Sequence, residues 1–157
     1  MKAKKAAART TGQWMQDGLA VRKQVLTEAY VERQLANADA FTMPIQELAT
    51  TVAWGMVWTR PGLTHKTRSM LNIAFLTALG RETELKVHVG GALRNGVTEE
   101  EIQEILIQAA MYCGFPAALE AFRAARSVID EAKAAQPVRK TAKRAAKTAA
   151  KTARARR

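Results

Sequence analysis

At 157 residues, with 48% apolar side chains, the chain is long enough for one packed domain with appendages. Its only cysteine, Cys113, excludes an intramolecular disulfide and a Cys-rich metal site; the longest apolar stretch, Met70 to Leu79, is far below the roughly 20 residues a membrane span needs. The net charge of +11 sits at the ends: Lys2, Lys4, Lys5 and Arg9 lead in, ten Lys and Arg residues run from Lys133 onward, and all 14 acids lie between. A basic-protein argument therefore applies to the tails and not to the mildly acidic middle.

Residues 1–12 read as a basic, disordered tail. A helical period runs from Gln13 to about Asn37 through Met15, Leu19, Val21, Val25, Leu26 and Leu35, with Arg22 and Lys23 pointing away from the apolar stripe. A second helix is expected from Met43 to Met56, with Pro44 near its start, where a missing N–H is harmless. Trp54 and Trp58 then lead to Arg60-Pro61-Gly62, a turn that gathers two indoles and a guanidinium at a corner.

Thr64 caps a third helix, apolar nearly all round, that stops at Gly80. Such a helix belongs at the domain centre or at a subunit interface. The fourth, from Glu82 to Asn95-Gly96, carries Gly90-Gly91 at a penalty of about 1 kcal/mol each relative to Ala, a sign of close approach by another group. Thr98-Glu99-Glu100-Glu101 is a capping box with three carboxylates in the first turn of a fifth helix. A sixth runs from Pro116 to about Ala135. No stretch alternates with period two, so the domain over 13–135 is expected to be all-α with about six helices. Residues 136–157 are a Lys/Ala/Arg-rich tail without an apolar face.

Glu84 and His88 are four apart, hence on one face of the fourth helix. A carboxylate beside an imidazole can orient a general acid or base, but the same spacing also describes an ordinary surface pair. Arg60 and Arg68 have the fork geometry for a carboxylate, or for a salt bridge at a helix end. Trp54, Trp58, Tyr112, Phe115 and Pro116 suit either an apolar cavity or plain packing. His65 reads as exposed and Cys113 as a small buried hydrophobe. Phosphate loops, zinc spacings and nucleophile elbows are absent.

Taken together, Trp58-Thr-Arg-Pro-Gly-Leu63, Thr67-Arg68-Ser69, Glu84-Leu-Lys-Val-His88, Ala92-Leu-Arg-Asn-Gly96 with Val97-Thr-Glu-Glu-Glu-Ile102, and Tyr112-Cys-Gly-Phe-Pro-Ala-Ala118 resemble the 4-carboxymuconolactone decarboxylases over about residues 18–132. The resemblance implies an alkylhydroperoxidase-D-like helical fold assembled as a ring, commonly a hexamer. It implies cofactor-independent decarboxylation of 4-carboxymuconolactone to 3-oxoadipate enol-lactone, in the protocatechuate branch of the β-ketoadipate pathway. His88 would then give a proton or hold the oxyanion, oriented by Glu84. Arg60 or Arg68 would hold a carboxylate, and Trp58, Tyr112 and Pro116 would shape a dry pocket. Neither a cofactor nor a metal is implied.

The same superfamily contains peroxidases with a Cys-x-x-Cys-x-x-x-His motif. Aligned on Cys113, the missing partners are Ala110 and Ala117, which argues against dithiol chemistry. A redox protein using Cys113 alone is the alternative. Non-specific polyanion contact through the tails is a third reading; they lack aromatics for base stacking. With no apolar segment after the basic N-terminus, no secretory signal is read and a cytoplasmic protein is expected.

Overall fold

A computed structural model of the chain describes residues 9–135. The two basic tails fall mostly outside this range. The described residues form α1 (Thr11–Leu26), α2 (Glu28–Ala36), α3 (Met43–Leu48) continuing into a π-helical segment (Ala49–Trp58), α4 (His65–Ala78), α5 (Glu82–Arg94), α6 (Glu99–Cys113) and α7 (Phe115–Ala135). The fold is all-α, as the periodicity predicts.

Local signals act where expected. Thr64 Oγ1 accepts from the Thr67 N–H at 3.1 Å. Thr98 forms a reciprocal box, with the Glu101 N–H on Thr98 Oγ1 at 3.2 Å and the Thr98 N–H on Glu101 Oε2 at 2.8 Å. Gly80 and Gly114 end α4 and α6 at φ +62° and +90°, which a side chain would oppose.

Two local expectations fail. The helix read as continuous from Gln13 to Asn37 breaks at Thr27, whose φ of 85° is rare for a β-branched residue. Thr27 instead caps α2, its Oγ1 accepting from the Tyr30 N–H at 3.3 Å. The second helix changes pitch at Ala49. Over eight residues an α-helical face rotates by about 80°; the wider π turn keeps Thr50, Trp54, Gly55 and Trp58 buried together.

The core has two parts. Helices α4 to α7 enclose Ile73, Leu85, Val89, Ile102, Leu106 and Ala125. A smaller cluster of Val25, Leu26, Val31, Trp54 and Trp58 joins α1, α2 and the π segment. The two meet along α5. A Cβ on Gly91 would stand 3.0 Å from Val25 Cγ1, while Gly90 has ordinary room, so only one of the paired glycines marks a close approach. Arg94 Nε donates to the Val25 carbonyl at 2.8 Å across the same seam.

α1 and the π segment cross at their backbones. A Cβ on Gly18 would overlap the Thr50 carbonyl oxygen and lie 2.7 Å from the Gly55 nitrogen; one on Gly55 would overlap the Trp14 carbonyl. One turn beyond Gly18, Arg22 is buried rather than turned to solvent. Helix propensity alone would favour Gly55→Ala by about 1 kcal/mol. The crossing predicts the opposite sign, a loss of about 3 kcal/mol by overpacking, to be read from urea unfolding.

Candidate active site

His88 lies on α5 at the seam between the two cores. Its ring is parallel to that of Trp54, with an interplanar angle of 3° and centroids 6.1 Å apart. Trp54 in turn contacts Trp58 at 4.7 Å, and Trp58 contacts the His65 ring at 5.7 Å. The two indoles are each 6% exposed, so they form a wall with little water behind it. His65, expected to be exposed, is partly covered because that wall reaches the first turn of α4.

Asn72, on α4, is the hydrogen-bond partner of the imidazole: its Nδ2 lies 3.3 Å from His88 Nδ1. With the amide donating, Nδ1 is an acceptor and the neutral ring carries its proton on Nε2. Glu84 is exposed and makes no hydrogen bond to His88, so the orienting contact read from the i,i+4 spacing belongs to Asn72 instead. Glu84 acts only through its field. Burial pushes the His88 pKa down to about 4, and the nearby Glu84 carboxylate offsets part of that effect. At neutral pH His88 is therefore an uncharged ring presenting an Nε2–H donor.

Arg68 lies one turn before Asn72 on the same face of α4. Its Nη2 donates to the Arg60 carbonyl at 3.1 Å, and its buried Nε has no acceptor among the described residues. It has no carboxylate partner among them either, so a helix-end salt bridge does not account for it. Arg60 itself is exposed at the corner after the π segment. Arg60 and Arg68 are thus joined by a hydrogen bond, and Arg68 shares a helix face with Asn72, the partner of His88.

Tyr112 and Pro116 do not join them within one chain. Tyr112 is 84% exposed, Pro116 is exposed, and Phe115 is 62% exposed. Tyr112 and Cys113 line an open groove of 470 Å³ between α4 and α6, together with Met70, Leu71, Phe75 and Ile105. That groove lies on a different face of α4 from Asn72. Cys113, expected to be buried, is exposed there because α6 ends at the surface. The residue that sequence reasoning missed is Asn72; an amide inside an apolar helix, sixteen residues from the histidine, gave no pattern to detect.

No three His, Cys, Asp or Glu side chains gather as a metal-ligand set among the described residues. No helix among them is long and apolar enough to cross a membrane.

The His88 titration carries a stability consequence. Its folded pKa lies below the ordinary 6.5, so between pH 6.5 and about 4 the unfolded chain binds more protons and stability falls as pH falls. The melting temperature should drop through this window, and His88→Gln should remove that part of the drop, as thermal unfolding across a pH series will measure.

A profile of the Carboxymuconolactone decarboxylase family matches residues 44–127, the span from the start of α3 into α7 that holds every residue of the site. Over 115 residues the chain is 47% identical to nitrosuccinic acid decarboxylase npaB of Metarhizium robertsii, covering 73% of this chain and 80% of that protein. Over 114 residues it is 43% identical to the 4-carboxymuconolactone decarboxylase of Acinetobacter baylyi, covering 73% and 85%. An uncharacterized 15.0 kDa protein of Paracoccus denitrificans is 39% identical over 80 residues, covering 50% of this chain. The matched span and these identities place the chain in the carboxymuconolactone decarboxylase family.

Proposed function

We propose that this carboxy-lyase removes CO2 from a small dicarboxylate bearing its own electron sink, with 4-carboxymuconolactone as the first substrate to test. The observation that carries this reading is the neutral His88 ring on an indole wall, with the cationic Arg68 on the same side. For the lactone, the bond from the ring carbon to the carboxylate breaks. Its electron pair moves through the ring double bond onto the lactone carbonyl, giving a dienolate. Protonation at the far ring carbon then yields 3-oxoadipate enol-lactone, the product expected in protocatechuate breakdown. Because the substrate accepts its own electrons, the chain needs only to bind, stabilise and protonate.

His88 suits the second and third tasks. A neutral Nε2–H donor in a site with little water stabilises a developing oxyanion, and the ring passes a proton to carbon only if it is reprotonated from solvent in the same step, so that no imidazolate is left behind. Arg68, with Arg60 beside it, holds the carboxylate that remains. Trp54 and Trp58 exclude water from the carboxylate that leaves, which is less stable as an anion there than in bulk solvent.

The 47% identity to a nitrosuccinic acid decarboxylase favours a second substrate of the same design. Nitrosuccinic acid also has two carboxyl groups, and its nitro group can take the electron pair as a nitronate. The two acids differ in shape but ask the same of His88 and Arg68.

Loss of the lactone's ultraviolet absorbance on adding purified protein without cofactor tests the reading, with nitrosuccinic acid run in parallel. His88→Gln should lower kcat by about 10²-fold or more. Arg68→Ala should lower kcat/KM by about 10- to 100-fold, since a hydrogen bond to a charged group is lost. Turnover near the parent value in a folded His88→Gln protein would reject its role.

We also propose that the chain works as a homo-oligomer, in keeping with a ring. Leu79, Met111, Tyr112 and Phe115 are each more than 60% exposed, and Phe41 is 91% exposed. Large apolar side chains exposed in this number favour association. Tyr112 and Pro116 would meet the pocket at His88 only if a neighbouring subunit brings them to it. Sedimentation velocity should give a multiple of the 17.2 kDa chain mass; a monomer at micromolar concentration would end this proposal.

A further inference from the structure

Arg22, one turn from the Gly18 crossing, is 6% exposed and has no carboxylate partner among the described residues. Its Nη1 donates to Thr50 Oγ1 at 2.8 Å and its Nη2 to Gln46 Oε1 at 2.7 Å. Thr50 Oγ1 donates onward to the Gln46 carbonyl at 2.7 Å. Its Nε is buried with no acceptor among these residues, and burial pushes its pKa below the usual range.

A guanidinium taken out of water without a counter-charge is unfavourable, and a neutral donor could supply one hydrogen bond with less penalty. What the planar fork adds is span, because two rigidly related donors reach two acceptors at once. The acceptors it joins are informative. Gln46 belongs to α3 and Thr50 to the π segment, so Arg22 bridges the joint at Ala49 where the helix changes pitch. A change of pitch is where one part of a helix can turn against the other. Trp54 is the next residue along the buried face from Thr50, and its ring is the one parallel to His88. Rotation of the π segment at that joint would slide the indole across the imidazole.

Gly18 and Arg22 lie one turn apart on α1. The glycine sets how closely α1 and the π segment approach, and the arginine sets their rotation. We propose that Arg22 is a positioning residue for the decarboxylation: by bridging Gln46 and Thr50 it fixes the π segment in rotation and holds the Trp54 ring over His88. The proposal rests on the reading of His88 given above, but its first test does not need turnover.

That test follows the His88 ring by NMR across pH, with kcat and KM measured alongside. Arg22→Met keeps much of the volume and removes both bonds. The His88 midpoint should rise by about one pH unit or more from about 4 toward 6.5 as the ring gains water. Turnover should fall about 10-fold or more, with KM moving far less. Gln46→Glu supplies a carboxylate while keeping the bridge, and should retain both the midpoint and kcat.

A folded Arg22→Met protein with an unshifted midpoint would overturn the proposal. So would a raised KM at unchanged kcat in Gln46→Glu, because the charge of Arg22 would then be reading the substrate. If Arg22→Met does not fold, Thr50→Val removes one acceptor with little change of shape and is judged by the same midpoint. Absence of turnover by the parent protein on either acid would defeat the proposed function while leaving the titration to decide the bridge.

Discussion

The backbone contact between α1 and the π segment, possible only because Gly18 meets Gly55, sets the depth at which everything else at the site lies. Helices ordinarily stand 8–10 Å apart because side chains intervene. Here carbonyl oxygens and glycine atoms meet directly, so the π segment sits deep enough for Trp54 and Trp58 to fill the second core and still reach α5. Move the segment outward and the indoles lose their cover, His88 gains water, and the seam between the two cores opens where Val25 packs on Gly91.

The electrostatics follow from that depth. An imidazole against the buried Trp54 indole loses its charge, and one whose Nδ1 takes a hydrogen bond from an amide keeps its proton on Nε2. The site therefore pairs an uncharged donor with a half-buried cation, Arg68, that lacks a carboxylate partner among the described residues. This is a sensible division for a dianionic substrate with its own electron sink. In the proposed reaction the cation would hold the charge that stays and the donor would meet the charge that moves, without a strong acid that would protonate the wrong atom first.

What the sequence makes legible is what local chemistry decides. The caps at Thr64 and Thr98 and the stop at Gly80 depend on residues within one turn, and all are read correctly. The break at Thr27 has no glycine or proline to announce it, and the alternative cap that stabilises it is visible only once the chain has turned. Nothing in Ala49 to Trp58 distinguishes an i→i+5 helix from an i→i+4 one, because the choice rests with the crossing partner. Arg22 looks like a surface charge until Gln46 and Thr50, more than twenty residues away, are set beside it. At the candidate site, His88, Arg68 and Trp58 are proposed from motif and resemblance; the contact between His88 and Asn72 is tertiary and could not be read that way.

α4 has a double allegiance. Asn72 on one side faces His88, while Met70, Leu71, Ala74 and Phe75 on the other line the open groove against α6. The helix is thus a partition about 10 Å thick, with the proposed site behind one surface and an open apolar trough in front of the other. Whatever settles in that trough leans on the same rod that aims the imidazole. The exposed face and the hidden one are mechanically a single part.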